Sequence, residues 1–367
     1  MKFSIDRDAF SELLARIQGV CSSKTTLAIL ASCMIEAREN SITVLGTDLD
    51  LAIRSTCDAK VEEEGRIVLG AKRLFETVKS LQSGPLSISL EGNQAILESG
   101  RFKGRLMCSS VDDFPSLPTM NADDNLSIDA SVLSNMISKT IFSISTDETR
   151  VDFNGAFFVL HKDGRVQMVS TDGHRLSRVE NKMNVTNDVP EALEKGVIIP
   201  RKGLIEINRV MEGGELKLGI EKERLIVLSP KISLSIQLIP GQFPDFTKVI
   251  PKFLDHKALV DRSSFSQVLK RASNYTAKVG TIRLSLSPGQ LEIHAFDSEA
   301  GEVHDAIECE YDGSGVTVGF NWKYIEEVLR VIDGDRVSIE IIDTDNPSLI
   351  RDLDNKKMDF IVMPMQL

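Results

Sequence analysis

Aromatic side chains are scarce: they make up 5% of the residues, with a single tryptophan, Trp322, and three tyrosines. Proteins that read unpaired bases rely on aromatic platforms, so such a platform is not expected. Long apolar runs are also missing. No stretch approaches the roughly 18 apolar residues that a membrane-spanning helix needs. The start, "MKFSIDRDAF", carries charges where a secretory signal requires an apolar segment, and a cytoplasmic location is the expectation. The five cysteines, Cys21, Cys33, Cys57, Cys108 and Cys309, are scattered and form no CxxC pair. They read as free thiols of a reducing compartment. The five histidines, His161, His174, His256, His294 and His304, are equally dispersed. No metal site and no cofactor are therefore expected, and no glycine-rich phosphate loop is present.

The chain has 367 residues, of which 42% are hydrophobic and 26% charged. That is enough for two or three globular domains with cores of their own. The formal net charge of −11, taken alone, argues against a nucleic-acid partner, whose phosphates repel an acidic surface.

The sequence repeats itself three times. "FSIDRDAFSELLARI" from Phe3, "LSIDASVLSNMISKT" from Leu126 and "ALVDRSSFSQVLKRA" from Ala258 align without gaps. Asp6, Asp129 and Asp261 coincide, each ending a short apolar strand before an amphipathic run. Phe10, Leu13, Leu14 and Ile17, like Phe265, Val268, Leu269 and Ala272, recur at the spacing of a helix with one buried face. A second helix recurs in "AKRLFETVKSL", "RKGLIEINRVM" and "NWKYIEEVLRV". Each is followed by strictly alternating strands, such as Leu86, Ile88 and Leu90. "GTDLDLA", "STDGHRL" and "AFDSEAG" place Asp48, Asp172 and Asp297 at equivalent points. The repeat is roughly 120 residues long. Its boundaries fall in the polar "NADDN" and in "KFLDH", giving segments 1–122, 123–254 and 255–367. Helices with one apolar face and strands with one apolar face satisfy each other in an α+β fold. The expected architecture is three tandem copies of a domain with two helices packed on curved antiparallel sheets.

Two features remain. Basic residues concentrate on the helices and their flanks: Lys24, Lys72, Arg73, Lys79, Lys139, Arg150, Arg201, Lys202, Arg209, Lys270, Arg271 and Lys323. Loops such as "KVEEEG" are acidic. A chain of net negative charge can thus carry a positive helical layer, suited to loose contact with phosphates. The second feature is "STDGHRLSR", where an acid, a histidine and an arginine lie within Asp172–Arg175, beside Thr171. This composition resembles a catalytic cluster, but it sits on a repeated strand-and-turn element, and no nucleophile or metal partner accompanies it.

These residues carry a family resemblance. "GTDLD" at 46–50, "TDGHRL" at 171–176, "IPRKG" at 199–203, "FPDF" at 243–246, "GFN" at 319–321 and "VMPM" at 362–365, in that order over a threefold repeat, resemble the β subunit of bacterial replicative DNA polymerase, the sliding-clamp family. The resemblance implies a head-to-tail homodimer closing a ring, with helices lining a hole that passes double-stranded DNA without reading its sequence. It implies processivity rather than catalysis. It also implies an apolar cleft for short linear peptides of the replicative polymerase α subunit, the clamp loader and repair proteins. Carried over by position, that cleft comprises Thr171, Gly173, His174, Arg175, Leu176, Pro244, Lys248, Val249, Val279, Asn321, Tyr324, Asn346, Ile361, Val362, Met363, Pro364 and Met365. His174 and Arg175 are expected to offer donors at its rim. Gln366 stands where the family often has a basic residue, and Val151 and Asp152 where relatives carry aromatics. The dimer contacts are expected from edge strands near Leu106 and near Ser273. Two alternatives stay open on residues alone: a monomeric peptide-binding scaffold, and a hydrolase using Asp172 and His174.

Overall fold

The structure is a computed structural model. It describes residues 1–21, 27–118, 120, 126–183, 185, 188–210, 213–251 and 256–366. Lys24 and the two repeat boundaries, at 121–125 and 252–255, lie outside the described residues.

Each repeat begins as its sequence demands. The helices are α1 (Arg7–Gln18), α2 (Ala71–Ser80), α3 (Ala130–Ser138), the short α4 (Glu191–Lys195), α5 (Arg201–Val210), α6 (Arg262–Ala272) and α7 (Trp322–Val331). The repeated aspartate caps the first helix of each copy. The Asp6 carboxylate accepts from the amides of Asp8 and Ala9 at 2.9 and 3.1 Å, Asp129 from Ser131 at 2.7 Å, and Asp261 from Ser264 at 2.7 Å. These bonds satisfy amides that the helix itself leaves orphaned. Phe10, Leu13, Leu14 and Ile17 of α1 are buried, as are Phe265, Val268, Leu269 and Ala272 of α6. Each large apolar side chain so buried contributes about 1.5–3 kcal/mol.

The chain divides into two compact units. The first comprises Met1–Ser131, Asn184–Ala192 and Lys202–Leu238; the second comprises Val132–Met183, Leu193–Arg201 and Ile239–Leu367. The first unit holds a five-stranded sheet ordered Lys60–Glu63, Lys2–Asp6, Pro85–Glu91, Gln94–Ser99 and Phe102–Met107. It also holds an eight-stranded sheet whose middle is the antiparallel pairing of Ile232–Gln237 with Leu51–Asp58. That pairing joins strands of the first and second repeats into one sheet, which is why the compact units do not follow the sequence repeats.

The second unit repeats the plan. Its eight-stranded sheet runs Val197–Pro200, Gly155–Leu160, Arg165–Thr171, Arg175–Lys182, Met358–Val362, Ser348–Asp352, Arg336–Ile341 and His256–Asp261. Here the second and third repeats meet, with Arg175 opposite Val362 and Leu176 opposite Ile361. A four-stranded sheet is ordered Gly301–Glu308, Gln290–Asp297, Thr281–Ser287 and Val316–Asn321. All strand pairings described are antiparallel. Phe102–Met107 is an edge strand, as expected. Ser273 is not itself in a strand: it opens a 3-10 turn after α6, and that turn packs against the edge strand Gly301–Glu308. Among the described residues no helix is long and apolar enough to cross a membrane.

Candidate partner-binding site

"TDGHRL" is a hairpin turn between the strands Arg165–Thr171 and Arg175–Lys182. Its polar groups are consumed in making the turn. Thr171 Oγ1 donates to the Arg175 carbonyl at 2.6 Å and accepts from the Gly173 amide at 3.0 Å. Asp172 Oδ1 accepts from the amides of His174 and Arg175 at 2.9 and 3.0 Å. Gly173 has φ +88°, where a side chain is disfavoured, and an added Cβ would also lie 2.9 Å from the Arg150 guanidinium. The first repeat builds the same turn: Thr47 Oγ1 donates to the Leu51 carbonyl and accepts from the Leu49 amide, and Asp48 accepts from the Leu51 amide. An acid whose lone pairs serve backbone amides, beside an exposed histidine, is turn architecture rather than a proton relay.

Arg175 departs from its expected role as a rim donor. Its side chain is 10% exposed. It pairs with Asp172 at 3.0 Å and with Glu327, and donates to the Phe142 carbonyl. It also stacks over the Tyr324 ring at 4.5 Å and the Phe142 ring at 5.4 Å. The arginine, largely buried, therefore fixes the turn to α7. Burial, and secondarily the Asp172 charge, push the Tyr324 phenol above its ordinary value.

The apolar ground beside the turn is real but deeper than the sequence suggested. Leu176 and Ile361 belong to a buried cluster with Val169 and Leu349, and Phe157, Phe243, Phe246 and Ile250 pack against it. Phe243 stacks on Phe157 at 5.4 Å and meets Phe153 edge-on at 6.5 Å. Ile361 and Val362 are core residues, 2% and 1% exposed; they floor the site rather than wall it. Met363, Pro364 and Met365 are half-buried. The Met363 amide donates to the His174 carbonyl and the Met365 amide to the Gly319 carbonyl, both at 2.8 Å, so the tail is tied along the turn. Pro244 and Val249 are exposed, and Lys248 pairs with Asp245 at 3.2 Å. Asn321 spends its side-chain oxygen as the cap of α7, accepting from the Lys323 amide at 3.0 Å. Exposed Val279 precedes Gly280, whose carbonyl accepts from the Trp322 amide, beside that cap. Asn346 is bonded to Asp343 within its own loop. The aromatic group Phe153, Phe157, Phe243 and Phe246 was not singled out from sequence as a group, although "FPDF" at 243–246 supplies two of its members; its two halves are distant in sequence and meet only in the fold.

The basic helix residues divide. Lys72, Arg73, Lys79, Lys270 and Lys323 are exposed. Lys202 is exposed and paired with Asp48, and Arg271 with Asp305 at 2.6 Å. Arg150 lies over the Phe153 ring and donates to the Asp172 carbonyl. Arg201 is half-buried. Two do not fit a DNA-facing role. Lys139 is 3% exposed and paired with Asp333. Arg209 pairs with the buried Glu206 and caps α1 by donating to the carbonyls of Ala15 and Arg16 at 3.0 and 2.7 Å. Both sequence neighbourhoods look solvent-facing, but long-range partners withdraw the charges. The thiols are not activated: burial pushes Cys21 up to about 12 and Cys57 up to about 11, and raises Cys33, Cys108 and Cys309.

Comparison with known proteins completes the picture. Family models of the DNA polymerase III beta subunit match in tandem: the N-terminal domain over residues 1–124, the central domain over 127–245 and the C-terminal domain over 247–366. The chain belongs to the DNA polymerase III beta subunit family. It is 29% identical to the beta sliding clamp of Caulobacter vibrioides and 28% identical to that of Pseudomonas aeruginosa, in both cases across 100% of both chains. The crystal structure of the Pseudomonas aeruginosa DNA polymerase III subunit beta superposes with a TM-score of 0.94 at 28% identity over 100% of both chains. The Bacillus subtilis sliding clamp superposes with a TM-score of 0.94 at 26% identity, covering 100% of this chain and 99% of that one. A Pseudomonas aeruginosa clamp has also been solved bound to griselimycin. The fold is accordingly three tandem beta-clamp domains, and the repeated sequence is the record of that construction.

Proposed function

We propose that this chain works as a DNA sliding clamp whose two copies close head to tail into a ring around duplex DNA. The observation that carries this reading is the tandem match of three clamp-domain models along the whole chain. Domain divisions near residues 122 and 255 follow from the sequence repeats. The ring tethers the replicative polymerase and has no catalytic step of its own, in keeping with the turn-bound Asp172 and the unactivated thiols. Phe102–Met107 of one protomer adds to Gly301–Glu308 of the other. The first edge carries Arg105 and the second Glu308, so the pairing is charge-complementary. Lys72, Arg73, Lys79, Lys202, Lys270, Arg271 and Lys323 face the phosphates loosely. Partner peptides place Leu and Phe side chains on the ground framed by Leu176, Pro244, Val249, Met363 and Met365, where methionine adapts to several partners.

A topological assay tests the proposal. Once loaded, the chain should stay on a closed circular duplex and leave after linearisation. Equal loss from circular and linear DNA, or a strict monomer by light scattering, would return the monomeric scaffold to first place.

A further inference from the structure

The exposed face of the hairpin formed by Gln290–Asp297 and Gly301–Glu308 brings together groups that the sequence disperses. His294 lies directly opposite His304 in the antiparallel register, and Phe296 opposite Glu302. The imidazoles stack with centroids 4.1 Å apart and planes inclined by 23°. Both turn toward Glu302: His294 Nε2 lies 3.6 Å from one carboxylate oxygen, and His304 Nε2 lies 3.9 Å from the other. These separations are too long for hydrogen bonds. They are near the roughly 3.4 Å that two ligands of one tetrahedral ion keep at bond lengths of about 2.1 Å. The three ligand atoms lie within 4.8 Å of one another. His294 Nε2 is, moreover, shielded from solvent and has no hydrogen-bond partner among the described residues, an arrangement that costs free energy unless something occupies it. A depression of about 330 Å³ lined by Ser285, Glu292, His294 and His304 lies at this place. Glu292 and Glu308 share the face and favour a cation; Arg283, opposite His294 on the next strand, opposes one. Helix α6 packs on the same two strands through its buried stripe, and the histidines lie on the exposed side.

We propose that His294, His304 and Glu302 form a surface site for a borderline divalent transition-metal ion such as Zn²⁺. Two imidazoles and one carboxylate are the donor set that such ions select over Mg²⁺ or Ca²⁺. The remaining coordination position is open to water. The proposal departs from the expectation that the dispersed histidines hold no metal, because hairpin register brings this pair together. Binding would pin the edge strand Gly301–Glu308 to its neighbour and stabilise the folded chain by mass action.

The test titrates the metal-free, full-length chain with Zn²⁺ by calorimetry and follows the thermal midpoint at each concentration. One saturable ion per chain is expected, with a midpoint that rises with Zn²⁺. His294→Ala/His304→Ala should abolish both effects while keeping the metal-free midpoint of the parent. His174→Ala, which removes an exposed histidine elsewhere, should change neither. Copper substitution followed by electron paramagnetic resonance should report nitrogen and oxygen ligands. No saturable binding by the parent, undiminished binding by the double variant, or a sulfur signature from the cysteines would each overturn the proposal.

Discussion

Arg175→Ala offers the sharpest test of how the candidate site is held. The guanidinium joins the hairpin turn, through Asp172, to α7, through Glu327 and Tyr324, and to the Phe142 carbonyl. The Glu327 side chain is 38% exposed, so solvent screens that pair to about 0–1 kcal/mol. Asp172 is 17% exposed and retains two backbone amides, so its charge-assisted bond is worth about 1.5 kcal/mol, the low end of the usual range. Each ring contact adds about 0.5 kcal/mol. The Phe142 carbonyl, left without this donor, costs about 1 kcal/mol more, which brings the sum to about 4 kcal/mol. For a cooperative unit of this size each kcal/mol moves the midpoint by about 2–4 °C. Calorimetry should therefore show the lowest transition falling by about 8–16 °C, with partner-peptide affinity falling too. Arg175→Lys should recover little, since an ammonium cannot reproduce the planar fork. A midpoint unchanged in Arg175→Ala, with peptide affinity lost, would refute the structural assignment and restore Arg175 as a direct ligand contact.

Other outcomes follow from the same accounting. Arg209→Ala should destabilise the chain by about 3 kcal/mol, because it strands the buried Glu206 and uncaps α1. Lys72→Ala and Lys270→Ala should leave stability unchanged and lower DNA affinity modestly, their combination also flattening its salt dependence; unfolding curves and salt titrations distinguish the two classes. Cys21, held at about 12, should resist alkylation at pH 8, where about one thiol in ten thousand is ionised, and should react on unfolding. Its raised value favours the protonated native state, so this thiol contributes a loss of about 1.4 kcal/mol per pH unit as pH climbs from about 9 toward 12, readable by denaturant titration as the difference in slope between the parent and Cys21→Ala. Deleting Met363–Leu367 should leave the dimer folded, since the strand Met358–Val362 is retained. Calorimetric titration should show partner-peptide binding weakened by at least tenfold, because Met363 and Met365 each offer apolar contacts.

What was legible in the sequence was local. The strand-to-helix junctions at Asp6, Asp129 and Asp261 and the buried stripes of α1 and α6 follow from residues within a few positions of one another, and the structure has them there, with each aspartate acting as the helix cap. Long-range pairing was not legible. Nothing near Ile232 announces that it will lie beside Ser55; the family resemblance placed Arg175 and Val362 in one cleft, but not as partners in one sheet. These pairings knit successive repeats into shared sheets. The misread charges have the same origin: Lys139 finds Asp333, and Arg209 finds the end of α1. The sequence shows that a cation is present; only the fold shows that it is already spent.

The turn shared by Thr47–Leu51 and Thr171–Arg175 indicates where functional difference can enter a repeated scaffold. Both copies use a threonine hydroxyl and an aspartate carboxylate for the same backbone bonds, and both hold their third residue at positive φ, +84° at Leu49 and +88° at Gly173. A leucine tolerates that conformation only at a cost, so the turn geometry is kept even where the residue resists it. The polar groups that first resemble an active site are therefore the invariant part of the scaffold. The variable part is what lies alongside. In the second copy that is the tail strand Met358–Val362, the half-buried methionines that follow it, and Tyr324 beneath Arg175. Partner selectivity should accordingly respond to exchanges at Met363, Met365 and Tyr324, whereas exchanges at Thr171 or Asp172 should be felt first as loss of folding.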